Sequence, residues 1–261
     1  MQFPELEFLK VELYDHTLWV TLDRPPVNAL SRKMVAELLL LAEWIPSNSE
    51  IWLVVVSNNG KVFCAGADLK ERGTVMDAEV ATLVKSIQMA FQYWALIPVP
   101  VIMGVNGAAI GGGLELALTG DLIAVSASTR LGFPETHLGI IPGAGGTQRM
   151  PRRTNLGTAN KWILTAEIFP AEEALKDGVV QYVFQDEAFE AQLMKLAAQV
   201  GKNAPIALRQ AKHAIQNGAS LDLQTALELE STDYEVLIPT HDRMEALEAF
   251  KAKRSPKWAG K

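Results

Sequence analysis

Three continuous apolar runs limit the folds open to this chain more than any other feature. They cover residues 52–57, 101–105 and 122–126 and contain few polar side chains. A strand that is apolar on both sides needs cover on both faces of its sheet, as in parallel sheets with helices packed on each face. Because helix-length segments separate the runs, the sequence predicts an α/β fold.

Helical patterns surround these strands. Partial alternation predicts a hairpin over residues 8–15 and 17–23, and Ser31 is expected to cap the helix that follows. Further helices are predicted over residues 77–95, 112–119, 154–165, 170–177, 187–200, 205–217, 221–237 and 239–253. No strand pattern remains after residue 185, so we expect an α/β core over residues 1–195 and a helical region over residues 196–261.

The composition excludes several classes of protein. The 261 residues are 49% apolar and 21% charged, which is typical of a globular chain and excludes global disorder. A net charge of −6 and a pI near 5.3 argue against a general nucleic-acid binder, since phosphate neutralisation needs excess Lys and Arg. The single cysteine, Cys64, allows no intrachain disulfide and fits a reducing compartment. With no signal-peptide or transit-peptide features at the N-terminus, a cytoplasmic location is expected.

One apolar segment, residues 96–118, has about the length of a membrane span. It contains two prolines, five glycines, Asn106 and Glu115, which interrupt the backbone and introduce a carboxylate. We therefore interpret it as a buried strand, a turn and a helix, and expect no membrane partner.

Two small-residue turns are candidates for backbone-mediated binding. Residues 107–113 follow a buried strand and open a helix, so a ligand can approach the backbone closely and the free N–H groups favour an anion. Residues 65–67 follow another strand and would present N–H groups in the same way. Tight strand-to-helix junctions explain both turns equally well from spacing alone.

Two glutamates stand in unusual positions. Glu115 lies in an otherwise apolar helical turn, where burial would raise its pKa and the helix N-terminus would lower it. Glu135 follows a buried strand and precedes another glycine-rich turn. If the two carboxylates meet, one acts as base and the other as acid on a single water. A Glu115 that faces solvent is the simpler alternative.

Motifs of other enzyme classes are missing from the sequence. Neither residues 107–113 nor residues 143–148 complete the dinucleotide pattern G-x-G-x-x-G. There is no phosphate-binding G-x-x-x-x-G-K-[ST] and no nucleophile elbow G-x-S-x-G. The four histidines form no zinc-binding pattern, so no metal is expected.

Taken together, three segments resemble the enoyl-CoA hydratase/isomerase (crotonase) superfamily. They are FCAGADLKE (63–71), VNGAAIGGGLELAL (105–118) and FPETHLGIIPGAGGTQR (133–149), with support from LDRPPVNALS (22–31) and EAFKAKRSPKWAGK (248–261). The resemblance implies a crotonase-like spiral of ββα units with a C-terminal helical trimerisation region. It also implies a homotrimer or a dimer of trimers, acyl-CoA thioester substrates, and no cofactor beyond the coenzyme A of the substrate.

The resemblance also implies the roles of particular residues. It maps two oxyanion-hole N–H groups to Ala67 and Gly112, and two catalytic glutamates to Glu115 and Glu135. The implied coenzyme A and substrate site consists of Arg24, Val27, Ala29, Ala65, Asp68, Leu69, Lys70, Gly111, Lys251 and Lys253. Since both glutamates are present, the implied reaction is addition of water to trans-2-enoyl-CoA.

Alternative functions remain open from the sequence. The C-terminal stretch is similar to that of methylglutaconyl-CoA hydratases, and a Δ3,Δ2-enoyl-CoA isomerase needs only one glutamate. Some relatives bind RNA through a lysine-rich first helix, but residues 31–50 here contain two basic residues against three glutamates. A catalytically idle acyl-CoA-binding scaffold would need a broken glutamate or oxyanion turn, and none is visible.

Overall fold

The computed structural model describes residues 2–73 and 76–261. The strands in this part of the chain are β1 (Leu9–Tyr14), β2 (Thr17–Leu22), β3 (Leu53–Asn58), β4 (Val62–Cys64), β5 (Val101–Val105), β6 (Ala108–Ile110), β7 (Leu122–Ser126), β8 (Arg130–Gly132), β9 (Ile168–Pro170) and β10 (Tyr182–Phe184). The helices are α1 (Arg32–Trp44), α2 (Leu69–Arg72), α3 (Asp77–Ala95), α4 (Gly112–Ala117), α5 (Gly146–Arg153), α6 (Leu156–Leu164), α7 (Ala171–Lys176), α8 (Phe189–Gly201), α9 (Pro205–Gly218), α10 (Leu223–Leu237) and α11 (His241–Lys251).

The larger sheet has six strands in the order β1-β2-β3-β5-β7-β10. The first two form the predicted antiparallel hairpin, with Leu9 opposite Leu22, and the remaining pairs are parallel. The three apolar runs from which the fold was predicted are β3, β5 and β7, which lie side by side at its centre. The α/β prediction is therefore confirmed.

A smaller sheet, with the order β4-β6-β8-β9, was not predicted because its strands have only three residues each. Along the chain, each central strand of the larger sheet is followed by one strand of the smaller sheet and then by helix. The units are β3-β4-α2, β5-β6-α4 and β7-β8-α5. This is the repeated ββα arrangement that the sequence resemblance implied.

Helices cover the larger sheet on both faces. Side chains of alternate β3 residues, such as Val54 and Val56, join the main apolar core with α1 and α3. The intervening Val55 packs on the other face in a cluster with Phe189 and Leu193 of α8. The boundary expected between residues 195 and 196 falls within α8, whose buried face belongs to this second cluster.

A side chain caps the first helix, and a buried lysine attaches the C-terminal helices to the sheet. Ser31 caps α1 as predicted, because its side chain accepts a hydrogen bond of 3.2 Å from the N–H of Met34. The buried Lys212 of α9 binds Asp121 at 2.7 Å and the carbonyl of Val99 at 3.0 Å, which attaches the C-terminal helices near the start of β5 and β7.

Within the described ranges, no helix is both long and apolar enough to span a membrane.

Candidate active site

The first of the two small-residue turns is held by the loop that follows β2. The N–H of Leu30 donates to the carbonyl of Gly66 at 2.8 Å, and the N–H of Asp68 donates to the carbonyl of Leu30 at 3.2 Å. These bonds form an isolated parallel bridge between Leu30 and Ala67. Because successive peptide groups of an extended segment face opposite sides, the N–H of Ala67 faces away from Leu30.

The second turn joins β6 to α4 and packs against the first. Gly112 opens α4, so its N–H has no acceptor within that helix. A Cβ atom on Gly112 would lie 3.7 Å from the Ala67 nitrogen, and one on Gly66 would lie 3.2 Å from the Gly112 nitrogen. The structure thus brings the peptide groups of Ala67 and Gly112 together from backbone segments 45 residues apart (112 − 67).

Glu115 lies in the first turn of α4 and is buried, with only 3% of its surface exposed. Its Oε1 atom accepts hydrogen bonds from the N–H groups of Ala144 at 2.8 Å and Gly146 at 2.7 Å. Burial raises the pKa of Glu115, and these two N–H groups together with the charge of Arg149 offset only part of that rise. The solvent-facing alternative for Glu115 is therefore wrong.

Glu135 lies in a 3-10 turn, Pro134–Leu138, which follows β8. A Cβ atom on Gly111 would lie 2.5 Å from the Oε1 atom of Glu135 and 3.2 Å from its Cδ atom. The Glu135 carboxylate therefore packs against the residue that precedes Gly112. The Glu115 carboxylate, in contrast, binds the N–H groups of Ala144 and Gly146 on the segment that leads into α5.

This arrangement suits a reaction in which an oxygen gains negative charge. Two backbone donors from adjacent turns stabilise an oxyanion without any side-chain reorganisation. A carboxyl group with a raised pKa exchanges protons near neutral pH more readily than an ordinary glutamate does. The site therefore offers two candidate backbone donors for an oxyanion and two candidate acid–base groups.

A family model described as enoyl-CoA hydratase/isomerase matches residues 13–261. The chain belongs to the enoyl-CoA hydratase/isomerase family. Its crotonase-like core, predicted from sequence, is confirmed.

Individual members of the family cover nearly the whole chain. The protein is 44% identical over 248 residues to YngF of Bacillus subtilis, whose name places it in the same group, with 94% of this chain and 95% of YngF covered. It is 38% identical over 238 residues to human mitochondrial methylglutaconyl-CoA hydratase, with 89% of this chain and 70% of the human protein covered. A crystal structure of an enoyl-CoA hydratase from Bacillus anthracis has a TM-score of 0.95 and 39% identity, with 98% of this chain and 100% of that chain covered.

Several residues expected to bind coenzyme A in this family member gather beside the first turn. The N–H of Ala65 donates to the carbonyl of Val27 at 3.0 Å, and Arg24 donates to the carbonyl of Ala29 at 3.0 Å. Arg24 also forms an ion pair of 2.7 Å with Asp68. Burial acts to raise the pKa of Asp68, but backbone hydrogen bonds and Arg24 outweigh it, and the pKa is lowered.

The remaining predicted coenzyme A residues are less closely placed. Lys70 is exposed in α2, next to this cluster, and the side chain of Leu69 lies outside the described part of the structure. Gly111 belongs to the second turn, against Glu135. Lys251 and Lys253 are exposed at the end of α11, and no contact in the described ranges joins them to the other predicted residues.

The basic C-terminal segment is folded onto its own chain. Arg254 pairs with Glu245, and the N–H groups of Ala259 and Gly260 donate to the buried Asp242 at 2.7 and 3.0 Å. The Arg254 hydrogen bond is the largest contribution that lowers the pKa of Glu245 to about 2. One ion pair and these hydrogen bonds therefore hold the segment against α11, while the side chains of Lys251 and Lys253 stay exposed.

Sequence reasoning missed three residues that shape the site. Asn28 is buried, with a positive φ of 49°; its amide donates to the carbonyls of Asn59 and Val62 and its oxygen accepts from the N–H of Arg24. Arg149 and Gln92 bind one another beside the turn that holds Glu115. Arg149 ends the segment of residues 133–149 that carries the family resemblance, but residue spacing does not predict the direction of its side chain.

Proposed function

We propose that this protein is an enoyl-CoA hydratase, which adds water in the syn sense to trans-2-enoyl-CoA and forms 3-hydroxyacyl-CoA. The observation that carries the proposal is the packing of the Ala67 and Gly112 turns against each other, with Glu115 in the first turn of α4 and the Glu135 carboxylate against Gly111. Membership of the hydratase/isomerase family supports it.

The two N–H groups would bind the thioester carbonyl oxygen of the substrate. As water adds to C3, negative charge moves onto that oxygen and an enolate forms. Donors placed in advance stabilise this charge more than they stabilise the neutral carbonyl, and loss of one such donor costs roughly 3–4 kcal/mol in other enzymes. Since both donors are backbone groups, the side chains beside them need only be small.

The two glutamates would divide the protons of the reaction. Glu115 takes one proton from water as the oxygen forms its bond to C3, and Glu135 gives one proton to C2. Transfer of the proton from Glu115 to Glu135 through water restores both groups, and one water is consumed in total. Since both carboxyl groups would act on the same water, the roles of base and acid belong to the pair. The raised pKa of Glu115 supports a proton-transfer role.

The residues beside the first turn would bind the coenzyme A part of the substrate. Arg24 and the exposed Lys70 supply cations, and the short side chain of Ala65 would let a ligand approach the backbone beside them. Arg and Lys side chains are common binding partners of phosphate groups. This proposal predicts effects on KM for coenzyme A thioesters and little effect on kcat.

A branched substrate is the second candidate, because the human relative at 38% identity is named methylglutaconyl-CoA hydratase. A Δ3,Δ2-enoyl-CoA isomerase would use the same oxyanion site and a single glutamate. A kinetic panel of crotonyl-CoA, longer straight-chain enoyl-CoA esters, 3-methylglutaconyl-CoA and a 3-enoyl-CoA separates the three, since each activity has its highest kcat/KM on a different substrate.

We also propose that the protein assembles as a homotrimer or a dimer of trimers through its C-terminal helices. Large apolar side chains are exposed on α10 and α11, including Leu223 at 74% and Phe250 at 84% of their surface. Patches of this kind favour burial against another subunit. In such an assembly, Lys251 and Lys253 would be available to the coenzyme A of a neighbouring subunit.

Loss of the ultraviolet absorbance of crotonyl-CoA tests the proposed reaction. Wild-type protein should remove the absorbance of the conjugated thioester, and Glu115→Gln and Glu135→Gln should each lower kcat by about 10²–10⁴. Glu172→Gln is the matched control, because Glu172 is exposed on α7 and far from the site in sequence. Full activity in Glu135→Gln would contradict the two-carboxylate mechanism.

A further inference from the structure

We propose that Arg149 is a positioning residue of the active site, which together with Gln92 holds the turn of residues 144–146 whose N–H groups orient Glu115. The inference rests on the proposed function, in which Glu115 exchanges a proton with water. In this proposal Arg149 acts through the turn and contacts neither the substrate nor the reacting water.

The turn before α5 has a shape that leaves room for the Arg149 side chain. Gly145 has a φ of 116°, in the region that favours glycine, and it separates the two N–H groups that bind Glu115. A Cβ atom on Gly145 would overlap the Nη1 atom of Arg149 and lie 3.0 Å from its Cζ atom. The guanidinium group therefore packs against the peptide backbone between Ala144 and Gly146.

Arg149 binds this turn on one side and α3 on the other. Its Nη1 atom donates to the carbonyl of Ala144 at 2.9 Å, and Ala144 is the residue whose N–H binds Glu115. Its Nη2 atom donates to the side-chain oxygen of Gln92 in α3 at 3.0 Å. Arg149 therefore holds the peptide group between Ala144 and Gly145, which lies between the two peptide groups whose N–H groups bind Glu115. Fixing both ends of the planar guanidinium limits rotation of this middle peptide group and so limits changes in the direction of the two hydrogen bonds to Glu115.

The charge of Arg149 adds an electrostatic effect to this bracing. It acts to lower the pKa of Glu115, while burial acts in the opposite direction and predominates. Besides Arg149, the ionisable side chains of β4 and α5, which pack on α4, are Cys64, Arg152 and Arg153. The Cys64 thiol is neutral because burial raises its pKa to about 12, Arg152 is exposed and binds Gln148, and Arg153 donates to the carbonyl of Gly120 beyond the far end of α4. Glu135 approaches the start of α4 from the 3-10 turn after β8 and packs against Gly111.

Three variants separate bracing from charge. Arg149→Met removes both, Arg149→Lys keeps the charge, and Gln92→Met removes only the tie to α3. We expect Arg149→Met to lower kcat by about 10–100-fold, because small displacements of a catalytic group have effects of this size, while KM stays within about threefold. The acid limb of its pH–kcat profile should move to higher pH, since the pKa of Glu115 rises when the cation is lost.

The two variants that keep the positive charge at position 149 test the contacts alone. Arg149→Lys and Gln92→Met should keep the acid limb at its wild-type position while kcat falls less than in Arg149→Met. Arg152→Met is the control, because Arg152 lies on the same helix, is exposed and bonds only to Gln148 in the described structure. It should leave both kcat and the pH profile unchanged.

Amide hydrogen exchange tests whether Arg149 holds the turn of residues 144–146, and it needs no catalytic turnover. In Arg149→Met the N–H groups of Ala144 and Gly146 should exchange at least tenfold faster than in wild type, whereas those of α9 should not change. Unchanged exchange together with an unmoved acid limb would overturn the proposal. If Arg149→Met does not fold, Arg149→Lys decides: faster exchange at Ala144 supports the brace, and wild-type exchange contradicts it. A wild-type protein that hydrates no enoyl-CoA would contradict the proposed function alone, because the exchange result would stand.

Discussion

The carboxylate of Glu135 packs against Gly111, so closely that a Cβ atom at position 111 would lie 2.5 Å from Oε1. The same glycine has a φ of 54° and a ψ of −120°, a backbone conformation outside the regions open to residues with a side chain. Gly111 therefore serves two needs, the shape of the turn before Gly112 and the space for a carboxylate. Through this contact, Glu135, the candidate acid, lies beside the residue that precedes Gly112, the candidate oxyanion donor.

Gly111→Ala should reduce both activity and stability. The new methyl group displaces the Glu135 carboxylate, and we expect kcat for crotonyl-CoA hydration to fall by about 100-fold or more. The backbone strain should lower the free energy of unfolding by about 1–3 kcal/mol. Steady-state kinetics and urea denaturation measure the two effects.

Gly178→Ala is the matched control for that substitution. Gly178 also has a positive φ, 76°, but a Cβ atom there meets nothing within 4 Å. It should lose a similar amount of stability and retain full activity. Equal losses of activity in the two variants would show that strain, and not the position of Glu135, explains the effect.

Glu115 should give the enzyme an acid limb above the ordinary range of a glutamate. Burial raises its pKa from 4.5, so kcat should fall as the pH drops through a value higher than 4.5. A pH–kcat profile of wild-type protein measures the midpoint. An acid limb at or below the ordinary pKa would contradict the assignment of the base to Glu115.

The same shift predicts how Glu115 affects stability. Its folded-state pKa lies above its unfolded-state pKa, so the folded state binds the proton more tightly. The protonated Glu115 therefore stabilises the folded state fully below its unfolded-state pKa. This contribution is lost as the pH rises through its folded-state pKa. Glu115→Gln should therefore be at least as stable as wild type at neutral pH, by urea denaturation, despite its loss of activity. A large loss of stability at neutral pH would show that the ionised carboxylate contributes favourably to the fold.

Arg24 should affect binding and not chemistry. We expect Arg24→Met to raise KM for crotonyl-CoA by about tenfold with kcat nearly unchanged, as for loss of a contact made equally in ground and transition states. The effect should disappear with crotonyl-N-acetylcysteamine, which lacks the nucleotide. A KM effect of the same size on both substrates would mean that Arg24 acts through its ion pair with Asp68 on the first turn.

The C-terminal helices should control assembly. Phe250→Asp should shift the protein from a trimer or hexamer toward a monomer of 28.5 kDa in light scattering, because it puts a charge into the proposed interface. Tyr14→Asp, at an exposed position of the β1–β2 hairpin, should not change the assembly. A wild-type protein that is already monomeric would contradict the proposed oligomer.

Local sequence pattern predicted those features that depend on neighbouring residues. The apolar runs of β3, β5 and β7 and the cap at Ser31 could be predicted because each is set by residues a few positions away. The apolar flanks of Glu115 left a buried and a solvent-facing side chain both open. Its partners Ala144 and Gly146 decide between them, and they could not be predicted because they come from a later ββα unit.

Contacts between distant segments needed the structure. The strands of the small sheet are too short for a pattern, and the approach of Glu135 to Gly111 depends on the pairing of β6 with β8. The brace by Arg149 depends on the direction of one side chain. For Lys251 and Lys253, sequence resemblance predicts a role that no contact within the described chain tests.

The most direct test of the proposed reaction is the product of crotonyl-CoA formed in D₂O. Proton NMR should show 3-hydroxybutyryl-CoA with one deuterium at C2, added on the same face as the C3 oxygen, and Glu115→Gln should give none of it on the same timescale. Recovery of unreacted crotonyl-CoA, or of an ester whose double bond has moved without addition of water, would contradict the assignment as a hydratase.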